Sequence, residues 1–184
     1  MKRILGLVVV LILVGSSAFS QEKADKAVKW YTLKEALELN KKAPKKIIID
    51  IYTDWCGWCK RMDKETFENP TIAAYLSANY YPVKFNAEGK DSVEFAGYKF
   101  GNPGQGGRST HQFAMALFQA QKLDPGYPAI AYITENLQLI GVMPGFLTPV
   151  QMEPILNFIA EDKFKTTSLD DYQKTFVSKI EPKN

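Results

Sequence analysis

The chain has 184 residues, of which 46% are hydrophobic, 12% aromatic and 23% charged, the profile of one ordinary globular domain with enough apolar mass for a core. That profile excludes collagen, low-complexity disorder and a multi-span membrane protein. Two cysteines are too few for a disulfide-stapled miniprotein or a four-cysteine metal site, so their spacing carries the information.

At the start of the chain, Lys2 and Arg3 precede an apolar run from Ile4 to Val14, and Ala18-Phe19-Ser20 follows with a small-x-small pattern. The segment reads as a secretory signal peptide over residues 1–20, the apolar run being short for a bilayer span. An uncleaved signal anchor is the alternative. No cysteine lies near the cleavage point for a lipid anchor. The expected mature chain is residues 21–184. Losing Lys2 and Arg3 takes 23 basic residues to 21 against 20 acidic ones, a net charge of +1. That balance offers no electrostatic case for nucleic acid or anionic lipid as a partner. Export would place both cysteines where disulfides persist.

Thr32 and Glu35 form a capping box before Leu33, Ala36, Leu37 and Leu39, which predicts an amphipathic helix that stops before Pro44. Lys46–Tyr52 is a β-branched run suited to a strand buried on both faces. Asp50 within that run is costly and needs a reason. Cys56-Gly57-Trp58-Cys59 follows, leading into a breaker-free stretch from Arg61 to Phe67. Asn69 and Pro70 open another helix, and Tyr81–Phe85 reads as a second strand. Strand, helical crossover and strand make a right-handed βαβ unit.

Beyond Asn86 the pattern weakens. Val93, Phe95, Tyr98 and Phe100 around Ala96-Gly97 predict a small hairpin, and residues 101–107 a Gly-rich connection without a phosphate-loop ending. Ser109 with Gln112 is expected to cap a helix carrying Phe113, Ala116, Leu117 and Ala120. Ala129–Thr134 and Leu137–Val142 read as an antiparallel hairpin joined by Glu135-Asn136. Thr148, Pro149 and Gln151 open a helix to about Ala160, and Ser168 with Asp171 caps a short last helix bearing Tyr172 and Phe176.

The chemistry sits at the C-x-x-C. At a helix start, unpaired backbone N–H groups and the dipole favour a thiolate, which makes Cys56 the nucleophile. Cys59 comes round nearly one turn and can resolve a mixed disulfide. Three other readings compete. A c-type haem needs His after the second cysteine, where Lys60 stands. Zinc needs two further ligands, and His111 is the single histidine. A structural disulfide closing so short a loop adds little and sits oddly at an exposed, electropositive helix start.

The segment Ile49-Asp50-Ile51-Tyr52-Thr53-Asp54-Trp55-Cys56-Gly57-Trp58-Cys59-Lys60 resembles the active-site segment of the thioredoxin superfamily. Met62, Thr66-Phe67, Asn69-Pro70 and Pro82-Val83-Lys84 continue the likeness toward the extracytoplasmic branch that includes the C-terminal domain of periplasmic electron-relay disulfide reductases. Gly126-Tyr127-Pro128-Ala129 resembles the family's cis-proline position. The resemblance covers about residues 30–160. It implies an α/β thioredoxin-like fold, a mixed sheet of about four to five strands flanked by helices, with an insertion over 87–110 and a C-terminal helical extension over 162–184, all in one domain spanning 21–184.

By the same resemblance Asp50 is the buried acid that takes a proton from Cys59, where the alternative is an acid paired with a lysine. Cis Pro128, with Tyr127, presents backbone to an extended substrate, where the alternative is a trans loop proline. Trp55 and Trp58 form an apolar rim for polypeptide, where ordinary packing is the alternative. Lys60 reads as a solvated helix residue, Asp54 as an acid orienting the site or stabilising the helix start, and His111 as surface or packing outside the mechanism. The implied function is an exported thiol-disulfide oxidoreductase, periplasmic in a Gram-negative source. It acts on protein thiols or disulfides and draws on a membrane electron-relay reductase, with no organic cofactor, no metal and a mature form not embedded in a membrane. The Gly-Trp between the cysteines departs from the Gly-Pro of thioredoxin itself, which leaves the direction of electron flow open. Two rivals stand beside this: a redox-inert binding module on the same fold, and a dithiol that handles a soft ion such as Cu(I). The 87–110 insertion is expected to form a lip beside the site.

Overall fold

The computed structural model describes residues 27–104 and 108–181; the expected signal peptide and part of the Gly-rich connection lie outside them. Thr32 accepts from the Glu35 N–H and Glu35 reaches back to the Thr32 N–H, so the capping box starts helix α1, Leu33–Lys42. Strand β1 is Lys46–Tyr52, the run marked by its β-branched residues, and its first six residues are buried. Helix α2, Gly57–Met62, begins at Cys56 and passes into a π-helical turn over Asp63–Phe67, so the breaker-free stretch is helical but changes its winding. Asn69 Oδ1 accepts from the N–H groups of Thr71 and Ile72, with Pro70 in the first turn, to open α3, Pro70–Asn79. Strand β2 then runs Tyr80–Asn86.

The main sheet has the order β2-β1-β5-β6, with β5 at Ala129–Ile133 and β6 at Leu139–Pro144. β1 is parallel to β2 and antiparallel to β5, and β5 is antiparallel to β6. This is the mixed sheet of a thioredoxin-like α/β fold, and six helices flank it. The final hairpin differs from the sequence expectation: Leu137 takes a left-handed conformation with φ 62° and donates its N–H to the Thr134 carbonyl. A longer turn thereby replaces Glu135-Asn136, and β6 starts two residues late with a register shift at Tyr132/Ile133.

Alternation along β1 divides the core. Ile47, Ile49 and Ile51 face one side with Leu33 and Ala36 of α1 and Phe113, Leu117 and Phe118 of α4, Gln112–Ala120. Ile48 faces the other side with Met62, Phe67, Ile72 and Leu76, and with Met152, Ile155 and Leu156 of α5, Pro149–Ala160. Each large aliphatic side chain taken fully out of water contributes roughly 1.5–3 kcal/mol, and β1 contributes such side chains to both clusters. The Thr148 capping box and the Ser168 cap of α6, Leu169–Thr175, are both present. Among the described residues no helix is long and apolar enough to cross a membrane.

The insertion carries the expected hairpin, β3 at Val93–Phe95 and β4 at Tyr98–Phe100. Ala96 and Gly97 turn it with φ of 50° and 84°, the sign a primed two-residue hairpin turn requires. It packs on α4 through Phe95 and Phe100, whose rings lie 5.2 and 5.6 Å from that of Phe113. The helix cap after the insertion differs from the expectation. Ser109 is occupied by the Asn102 side chain and Gln112 by the Gly101 N–H. His111 caps α4 instead, its Nδ1 accepting from the Phe113 N–H at 3.0 Å. His111 is buried rather than on the surface.

Candidate redox site

Cys56 and Cys59 form a disulfide where β1 hands over to α2, with Cα atoms 5.3 Å apart. Cys56 is the N-cap of α2, and its Sγ accepts from the Cys59 N–H at 3.0 Å. The Cys56 N–H in turn donates to the Thr53 carbonyl at 3.1 Å, so the cysteine is pinned at both ends of a tight turn. Three residues of helix bring Cys59 back beneath it, as the spacing requires. The expected exposure of the helix start holds for Gly57 and Trp58 but not for the two sulfur-bearing residues. Cys56 keeps 4% of its surface and Cys59 3%.

Asp50 projects on the same side of β1 as Ile48, toward the layer that holds α2, and is 2% exposed. The parallel register sets it directly opposite Lys84 of β2. The Lys84 ammonium donates to Asp50 Oδ2 at 2.5 Å and also to Asp63 of the π-helical turn. Asp50 is therefore buried and has a lysine partner. Burial pushes the Asp50 carboxyl up to about 6, with Lys84 opposing the shift and the charge of Asp63 adding to it. For Lys84 burial acts downward, but its two carboxylates outweigh it and its pKa lies above the ordinary lysine value. The partners respond differently because Lys84 is 22% exposed and has two counter-ions, whereas Asp50 is sealed and has one. The rings of Trp30 and Tyr52 lie 5.0 Å from the same ammonium, which adds cation–π stabilisation. Asp50 Oδ1 has no hydrogen-bond partner among the described residues, leaving one carboxylate oxygen available as a proton acceptor.

The rim is aromatic and half exposed. Trp55 is 49% and Trp58 55% exposed. The indole N–H of Trp55 donates to Glu88 at 3.0 Å, the Arg108 guanidinium lies 4.5 Å over its ring, and Tyr127 meets it edge to face at 6.2 Å. Trp58 leans on Phe146 at 5.4 Å, with Arg61 over both rings. The Tyr127–Pro128 peptide bond is cis and immediately precedes β5. Lys60 is exposed and makes no ion pair among the described residues, while Asp54 accepts from the Asn86 amide at 3.0 Å. His111 is remote from the chemistry, its ring against Phe85 and its Nε2 at the Asp91 carbonyl. Among the described residues no group of three His, Cys, Asp or Glu side chains is placed to hold a metal ion.

The insertion meets the site differently from a simple lip. Among its described residues the hairpin packs onto α4, while Glu88 and Arg108, near its two ends, reach Trp55. Lys84, Asp63, Glu88, Arg108 and Phe146 therefore join the site without having been singled out from the sequence as site residues. Of these, Lys84 had a signal, since a βαβ unit pairs the middle of one strand with the middle of the next. Asp63 depends on the change of winding after α2, and Glu88, Arg108 and Phe146 on loops whose paths no local pattern fixes.

Comparison with known proteins agrees with this geometry. The human protein "Spermatogenesis-associated protein 20" is 27% identical over 123 residues, 66% of this chain and 14% of that protein. "Thiol:disulfide interchange protein DsbD" of Vibrio vulnificus is 46% identical over 44 residues, 24% of this chain and 7% of that protein. The chain thus spans a small fraction of these relatives' length. Among solved structures, "DsbH Oxidoreductase" superposes with a TM-score of 0.53 at 16% identity, covering 77% of this chain and 90% of that one, a likeness of fold. The family model Thioredox_DsbH, described as "Protein of unknown function, DUF255", matches residues 11–125. With that match extending over more than half of its residues, the chain belongs to the Thioredox_DsbH family.

Proposed function

We propose that the protein is an exported thiol-disulfide oxidoreductase that exchanges disulfides with protein substrates through Cys56 and Cys59. The observation that carries this reading is Cys56 at the N-cap of α2, bonded to Cys59 and facing its N–H. Once the bond is reduced, that N–H and the helix start favour the Cys56 thiolate. In the reducing direction the thiolate attacks one sulfur of a substrate disulfide, the substrate S–S bond breaks, and the departing thiolate takes a proton from solvent. Cys59 then passes its proton to Asp50 and attacks Cys56 Sγ. The mixed disulfide breaks, the second substrate sulfur leaves as a thiolate and takes up the proton that Asp50 gives back, and the substrate has gained the two electrons that the protein's dithiol has lost. A membrane electron-relay reductase would restore the dithiol. The same steps in reverse oxidise a substrate dithiol.

An acid with its pKa near 6 is largely ionised at neutral pH and is matched to the brief proton transfer this sequence needs. Trp55 and Trp58 supply apolar rim, and Pro128 with Tyr127 supplies backbone for an extended substrate. Export is supported by the basic, apolar and small-x-small order of residues 1–20. The test is a resolving-cysteine trap. Cys59→Ala expressed in the native compartment should accumulate mixed disulfides through Cys56, released by reductant and missing from Cys56→Ala. Equal yields from the two variants would remove the main support for the reading.

A further inference from the structure

Two arginines stand over two tryptophans on either side of the disulfide, and they are not equivalent. Arg61 is already paired with Glu65 at 2.9 Å. Arg108 is exposed and makes no ion pair among the described residues. The nearby carboxylates hydrogen-bond to neutral donors and form no ion pair with it, Glu88 accepting from the Trp55 indole N–H and Asp54 from the Asn86 amide. A guanidinium stacked on an aromatic face keeps its N–H edge open for a carboxylate, and stacking lowers the entropy lost when it pairs.

The placement of Arg108 is held by the insertion's own bonds. The Asn102 amide donates to the carbonyls of Glu88, Gly89 and Ser109. The His111 N–H donates to the Ala87 carbonyl at 2.7 Å, and Thr110 shares a 3.3 Å hydrogen bond with the Tyr127 hydroxyl. The two ends of the insertion are thereby joined, and a positive charge lies 4.5 Å over the ring of Trp55, the residue that precedes Cys56. From this we infer that Arg108 is a specificity-determining residue that selects polypeptide partners carrying an acidic side chain next to the reacting cysteine. The inference rests on the oxidoreductase reading and names the substrate class of that same site.

The test uses reduced protein at low ionic strength, with three probes: a short peptide disulfide flanked by aspartates, the same peptide flanked by lysines, and neutral hydroxyethyl disulfide. Each peptide rate is divided by the rate with the neutral probe, so that any loosening of Trp55 cancels. The acidic peptide should react about 5-fold faster than the basic one, the scale of a single partly exposed pair, and high salt should erase the difference. Arg108→Gln should abolish the preference, Arg108→Glu should invert it, and Arg108→Lys should retain most of it. Equal ratios for the two peptides with the unmodified protein, or a preference that survives Arg108→Glu, would overturn the inference and leave the oxidoreductase reading standing. Failure of the reduced protein to react with all three probes would instead sink both.

Discussion

Replacing Asp50 by Asn should stabilise the protein, and by an amount set by pH. Burial lifts the carboxyl from its ordinary 3.8 to about 6, a difference worth roughly 3 kcal/mol. The shift is upward, so between those values the folded protein holds a proton that the unfolded chain has released. Folding stability therefore falls as pH rises from about 4 to about 6, and the whole penalty is in force above that. Asn imitates the protonated acid, so Asp50→Asn should match the parent at pH 4 and exceed it by up to about 3 kcal/mol at pH 8. Urea unfolding of the oxidised protein, followed by far-UV circular dichroism and tryptophan fluorescence at both pH values, measures the difference, and all other titrations cancel between the two proteins. A gain of the same size at both pH values would show that the effect is steric, and a loss at pH 8 would show that Lys84 outweighs burial. Either result refutes the assignment of burial as the dominant cause. The variant's cost should fall on catalysis, in slower resolution by Cys59.

His111→Ala removes the α4 cap and a buried ring against Phe85 together, and should cost about 2–4 kcal/mol in urea unfolding; a change below about 0.5 kcal/mol would place the helix start elsewhere. Thr148→Ala deletes one half of the α5 capping box and should cost about 1 kcal/mol, with thiol-disulfide exchange unchanged when each protein is assayed well below its unfolding midpoint.

The parts that the sequence revealed share a physical cause: their signals are local. Capping boxes at Thr32 and Thr148 involve residues three apart, and the β1 run declares its burial through its own side chains. Cys56 and Cys59 identify a site because one helical turn separates them. The resemblance added Asp50 and Pro128, positions whose meaning lies in a fold and not in a pattern. What stayed hidden is set by tertiary contacts. His111 displaced Ser109 as the α4 cap because the Asn102 amide, seven residues away, claimed Ser109 first. The last hairpin slipped because Leu137 adopted a left-handed conformation that its β-strand surroundings gave no reason to expect. Arg108 acquired its place over Trp55 across more than fifty residues of intervening chain.

The arrangement around Lys84 bears on how a buried acid can exchange protons inside a stable core. An isolated Asp–Lys pair would be a poor device, since protonating the acid strands the ammonium, and stranding a buried charge costs several kcal/mol. Here Lys84 has a second carboxylate, Asp63, at the 43% exposed rim of the π-helical turn, and the faces of Trp30 and Tyr52 on its flanks. When Asp50 takes a proton, the ammonium loses its stronger ionic contact but keeps Asp63 as a partner. The same lysine ties β2 to the turn that follows α2, so the group that stabilises the acid's charge also fixes the helix bearing Cys59. In the exchange proposed above, a proton accepted at Asp50 would then leave the cysteines in place, the condition a rapid resolving step requires.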